Sequence, residues 1–398
     1  VTAAPIDLPR RYFPGLDSLR ALAALAVVVT HVSFWAGWYP KGYLGAATAR
    51  LDIGVAFFFV LSGFLLGRPF LSAMQDGRRL PRIGRYAWKR ALRIVPLAVI
   101  VTVLALLVLE ENRGLGVGAW IRNLTLTELY HDGGLPAGLT HLWSLSTEVA
   151  FYAVLPFGML VAALVARRRG WSPRWALAAL ALLVAANVVW TLELAGRWAG
   201  ANQWLPAYLS WFAVGMALAV VQLEHQRRPD AFGSLRVLAE LPGTCWTMAA
   251  ALFAVACTPV AGPTSLLPAT GTESVTKNLL YAAIAGLVVL PSALGPDRGT
   301  AYANVLAHPW LRHLGLISYS IFCVHLLVLH LAAHVLDAPV FTGNGWALLG
   351  LTVAITLVVS EVAYRLVERP AMRLKDVRAP WARTSDAATT PKPASTSH

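Results

Sequence analysis

Ten apolar runs punctuate this sequence, at 17–38, 53–72, 92–109, 142–165, 174–192, 204–223, 245–262, 278–295, 314–336 and 345–367. Each is long enough, as a helix, to cross about 30 Å of hydrocarbon, although the seventh and eighth are marginal. The polar residues sit mostly in the turns between the runs. The pattern predicts an all-α membrane protein, a bundle of about ten transmembrane helices with both termini cytoplasmic. A single transmembrane domain is expected over 17–370. A short N-terminal tail at 1–16 precedes it, and a Pro-, Ser- and Thr-rich tail at 371–398, expected to be disordered, follows. The first run has no small-residue cleavage site and carries an Arg and a His, so it reads as a retained helix and not a signal peptide.

Composition agrees with this reading. The chain is 57% hydrophobic and only 13% charged, about half the charge of a soluble domain. Its net charge of +13 would suit a nucleic-acid partner if the basic residues were clustered on a soluble surface. They are sorted by turn instead. With the tails and even-numbered turns taken as cytoplasmic, and Arg20 assigned to that side, only Lys41, Arg50, Arg113, Arg122, Arg197 and Lys277 of the 33 basic residues fall on the other side. That segregation reports topology, so the expected partner is the lipid bilayer and no nucleic acid. Cys245, Cys257 and Cys323 lie in apolar runs with no metal-ligand spacing, so they read as core residues and no metal site is expected. Without an internal repeat, the inverted-repeat architecture of many transporters is not apparent.

Ionisable residues inside a bilayer usually mark a path or a reaction centre. Arg20 and His31 share the first run, LDSLRALAALAVVVTHVSFW. Eleven helical residues advance about 16 Å and return to nearly the same face, so the pair faces one way at two depths. Arg90 and Arg93, in KRALRIVP, fall at the depth of Arg20. Three guanidinium forks at one depth suit phosphate oxygens. Arg78, Arg79, Arg82 and Arg85 read as flanking residues that snorkel to the headgroups. The fourth run, in THLWSLSTEVAFYAVLP, carries Trp143, Ser146, Glu148 and Tyr152. By helical rise Glu148 lies about 10 Å from the outer boundary, matching His31. A carboxylate orienting an imidazole would make a general base; a structural partner for a buried donor is the alternative for Glu148. Asp17, Ser62, Ser318, Tyr319 and His325 are the supporting candidates, while His141 sits at the boundary.

Taken together, these segments resemble the acyltransferase-3 family of bacterial integral-membrane acyltransferases. The likeness rests on Arg20 and His31 in the first run, FFFVLSGFLL around Ser62, Arg90 and Arg93, WSLSTEVAFY, SYSIFCVH, and the closing Glu368-Arg369-Pro370. It runs from about Leu16 to Pro370, and Phe322 stands where the family commonly has Tyr. The resemblance implies a stand-alone enzyme of the bacterial cytoplasmic membrane. It would move an acyl group, often acetyl, from cytoplasmic acyl-CoA to a hydroxyl of an extracytoplasmic glycan, glycolipid or secondary metabolite. Acyl-CoA is then a co-substrate, with no permanently bound cofactor.

On this reading Arg20, Arg90 and Arg93 hold the charged end of the donor, and His31, steadied by Glu148, acts as base or as acyl carrier. Two other classes stay open: a transporter or flippase of an acylated or polyanionic lipid along the same polar path, and a scaffold that keeps the fold without the chemistry.

Overall fold

The computed structural model describes residues 12–376 apart from 132–133, 265–266, 297–298 and 343. Of the expected tails, residues 1–11 and 377–398 lie outside the described residues. Ten principal helices follow the order of the apolar runs: α1 Pro14–Trp35, α2 Gly54–Gln75, α3 Ile83–Val108, α4 Leu142–Arg169, α5 Pro173–Val189, α6 Leu209–Arg227, α7 Pro242–Ala256, α8 Gly271–Leu294, α9 Ser318–Val335 and α10 Gly345–Ala363. Prolines open α1, α5 and α7, at the position where the missing N–H costs nothing. Thr270 and Glu273 form a reciprocal capping box at the start of α8, and the Asn344 side chain caps α10.

Among the described residues nine helices are long and apolar enough to cross a membrane, and a tenth crossing arises only if a bent pair is counted as one span. That pair is the helix Gly233–Ala239 with α7, bent by 89°, at the segment the hydropathy pattern marks as marginal. The ninth apolar run is divided too. A short helix, Pro309–Leu316, ends before α9 begins at Ser318.

Helices α1, α2, α6, α8 and α9 form the centre of the bundle, with 56–72% of their apolar windows buried, against 17–22% for α4, α5 and α10. The outer helices turn residues such as Val161, Leu182 and Val358 outward, the faces a multi-pass membrane protein offers to lipid. Between α2 and α6 the backbones nearly touch. A Cβ on Gly63 would sit 2.2 Å from the Phe212 carbonyl, and one on Gly215 would sit 2.0 Å from the Val60 carbonyl. The Ser62-Gly63 step is therefore a close-packing site within the continuous helix α2. Phe212 stacks between Phe59 and Phe151, with ring centroids 4.5 and 3.9 Å away. Gly315 makes a similar approach to the Asp17 carbonyl, which holds the short helix before α9 against the start of α1.

Candidate active site

That approach lets one cavity of about 290 Å³ collect polar residues from five helices. From α1 come Asp17 and Arg20, one turn apart, and from α3 Arg90 and Arg93, also one turn apart. Helix α4 contributes Ser144, Glu148 and Tyr152, spaced by four residues and so on one face. Helix α2 adds Phe58 and Ser62, and α9 adds Ser318, Tyr319 and Phe322.

The charges are largely paired. Arg20 bonds Asp17 at 3.2 Å, and Tyr12 also donates to that carboxylate. Arg93 pairs with Glu368, whose other oxygen accepts from Ser320 at 3.0 Å. The Arg93 guanidinium lies over the Tyr319 ring, and Tyr319 donates to the Ile94 carbonyl at 2.7 Å. Glu148 accepts from Tyr152 at 2.7 Å and from Ser62. Arg90 is different. It lies over the Tyr152 ring, 6.0 Å from its centroid, and forms no ion pair among the described residues. A guanidinium without a carboxylate partner is free to take an anionic ligand.

The Arg93–Glu368 pair also carries a stability prediction. The Glu368 side chain is 1% exposed and that of Arg93 26%, so Arg93→Ala strands a carboxylate with Ser320 as its remaining donor. The expected loss is about 3 kcal/mol, the low end for breaking a buried pair because Arg93 reaches solvent. Thermal unfolding in detergent should show a lowered Tm that the double variant Arg93→Ala/Glu368→Gln largely restores. An unchanged Tm in Arg93→Ala would mean that the pair is not structural.

Beyond Phe322 lies a second group. His31 Nδ1 is 2.8 Å from the Val27 carbonyl and 3.2 Å from His325 Nε2. His325 Nδ1 is 2.6 Å from the Phe322 carbonyl, and His141 Nε2 is 3.2 Å from the Cys323 carbonyl. Ring centroids of His141 and His325 are 4.7 Å apart, and those of His31 and His325 are 5.0 Å apart. Phe322 touches both groups, because it lines the cavity and packs on His141 and His325.

Several expectations change. Glu148 does not orient His31: its contacts are Ser62 and Tyr152 in the arginine cavity, and the partner of His31 is His325. Counting helical rise gave a matched depth but not a shared face. Ser146 bonds back to the Leu142 carbonyl at 3.1 Å and is absent from the cavity lining. Trp143 packs on Tyr208, with centroids 5.1 Å apart, and is not in the lining either. The four-residue spacing selects Ser144 with Glu148 and Tyr152, a signal present in the sequence. Glu368 belongs to a motif visible in the sequence, but its tie to Arg93 depends on the fold. His141 is buried, 2% exposed, and not a solvated boundary residue.

The arrangement can be set beside known proteins. Residues 13–365 match the acyltransferase domain family Acyl_transf_3. Over 91% of its length the chain is 25% identical to the peptidoglycan O-acetyltransferase OatA of Listeria monocytogenes, of which it covers 56%. It is 28% identical, over 37% of its length, to the O-acetyltransferase OatA of Staphylococcus aureus, of which it covers 24%. Against the acyltransferase MdmB of Streptomyces mycarofaciens it is 26% identical over 96% of its length and covers 97% of that protein. The chain thus spans about half of the Listeria relative and nearly all of MdmB. No solved structure matches it. With the match running from just before α1 to just past α10, through the cavity arginines and the three histidines, the chain belongs to the acyltransferase-3 family.

Proposed function

We propose that this chain is an integral-membrane O-acyltransferase. It takes an acyl group, acetyl by analogy with the OatA relatives, from acyl-CoA and passes it to a hydroxyl of an envelope glycan, glycolipid or related metabolite. The observation that carries the reading is the continuity of α1: Arg20 lines the arginine cavity, and His31 lies eleven residues further along the same face. The arginine end faces the cytoplasm in this account, as the loop charges suggest. Arg90 takes a donor phosphate oxygen, while Arg20 and Arg93, held by their carboxylates, shape the cavity around it. The uncharged pantetheine arm runs past Phe58 and Phe322 and brings the thioester towards His31.

His31 then accepts the proton of the acceptor hydroxyl as the hydroxyl oxygen attacks the thioester carbonyl. The carbon–sulfur bond breaks, the acyl–oxygen bond remains, and the CoA thiolate recovers the proton from His31. An acyl-His intermediate is the competing route, in which His31 itself attacks first. Both require His31.

The test is a turnover assay on the purified protein with acetyl-CoA and glycan fragments as candidate acceptors. The account expects CoA release matched by an acetyl mass increment on the acceptor. Absence of turnover with every donor, together with movement of a labelled lipid across proteoliposomes, would replace the enzyme by a transporter.

A further inference from the structure

We infer that His325 is a positioning residue: together with the Val27 carbonyl it holds the Nδ1–H of His31, so that His31 Nε2 presents a bare lone pair to the acceptor. This rests on the acyl-transfer reading and adds a group to it that does not touch the substrate.

Two carbonyl contacts fix where the ring hydrogens lie. A carbonyl oxygen only accepts hydrogen bonds, so a ring nitrogen held against one must carry the hydrogen. His31 Nδ1, 2.8 Å from the Val27 oxygen, is therefore an N–H. His325 Nδ1, 2.6 Å from the Phe322 oxygen, is an N–H as well. A neutral imidazole has one such hydrogen, which leaves His325 Nε2 bare. That atom lies 3.2 Å from His31 Nδ1, so it accepts from the same N–H that points at Val27. A proton on His325 Nε2 would face the N–H of His31 and break the contact. The chain of bonds has one consistent direction, and it ends with His31 Nε2 unprotonated.

The surroundings support that direction. His325 is 0% exposed, and His141, donating from Nε2 to the Cys323 carbonyl, packs its ring against His325 and fixes the ring plane. His31 itself is only partly buried, and no group among the described residues bonds its Nε2. When His31 takes up the hydroxyl proton, its Nδ1–H already has two acceptors, the Val27 oxygen and His325 Nε2. A general base needs this: the right tautomer held before reaction and support for the cation that forms. Here a neutral imidazole does what a carboxylate does in many hydrolases.

Two measurements test the inference. In the first, kcat and KM are compared for wild type, His325→Leu and His325→Gln, because a Gln side-chain oxygen can accept from His31 Nδ1–H and Leu cannot. His325→Leu should lower kcat by roughly 10²-fold with KM for acetyl-CoA unchanged, and His325→Gln should recover most of the rate. Equal kcat in the two variants, or a change confined to KM, would overturn the positioning role.

The second needs no active variant. Imidazole-¹⁵N spectra of the wild-type protein, with His31→Ala identifying the His31 signals, should show Nδ1 protonated and Nε2 bare. An Nε2–H tautomer would overturn the inference directly. If the wild type releases no CoA with any acceptor, the acyl-transfer reading fails, and the spectra still decide the tautomer.

Discussion

His31→Ala is expected to bring acyl transfer to background. The general-base contribution alone is worth about 10²- to 10⁴-fold, and no other described side chain stands where it could substitute. His325 is sealed behind Phe322 with its Nδ1 committed to a carbonyl, and His141 is buried against Cys323. His31 is only partly buried and its bonds run through Nδ1, so its loss should leave the fold intact. The measurement is acetyl-CoA turnover alongside thermal unfolding. A variant that unfolds at the wild-type temperature but turns over within a few-fold of it would remove His31 from the chemistry.

Arg90→Ala should produce the second-largest effect, and on a different parameter. As the cavity arginine without a carboxylate partner among the described residues, Arg90 is the one that takes the donor phosphate in the proposed reaction. A charge-assisted hydrogen bond is worth about 1.5–3 kcal/mol, which is roughly 10- to 100-fold in KM for acetyl-CoA. Acceptor affinity should stay as it is. Arg20→Ala should raise the same KM less, because Arg20 already shares its charge with Asp17. Arg90→Lys keeps the charge but loses the planar fork and should fall between wild type and Arg90→Ala. If Arg90→Ala altered only the acceptor dependence, the arginine cavity would not be the donor site.

These two residues illustrate what is legible in such a sequence. Arg20 and His31 can be placed on one face of one helix because an eleven-residue spacing closes three turns, and the structure keeps that geometry. The same periodicity picks out Ser144, Glu148 and Tyr152 and separates Ser144 from Ser146. What the spacing does not carry is which faces meet. Arg93 and Glu368 are 275 residues apart, and His31 and His325 are 294 apart. Both pairings depend on the crossing of helices whose directions hydropathy does not encode.

The same limit explains the seventh run. Its length marks a crossing, and the structure supplies one only as a bent pair, because Pro242 starts a fresh helix that leaves the preceding one at 89°. Depth along the helix likewise matches Glu148 to His31, but the donors that reach Glu148 are Ser62 and Tyr152.

In the proposed reaction an acyl group travels from the arginine cavity at one end of the bundle to His31 near the other. The most direct test is reconstitution in proteoliposomes with acetyl-CoA sealed on one side and a membrane-impermeant glycan acceptor on the other. Free CoA should appear in the donor compartment and acetylated glycan in the opposite one, both lost in His31→Ala. Acetylated glycan formed only when donor and acceptor share a compartment would contradict it.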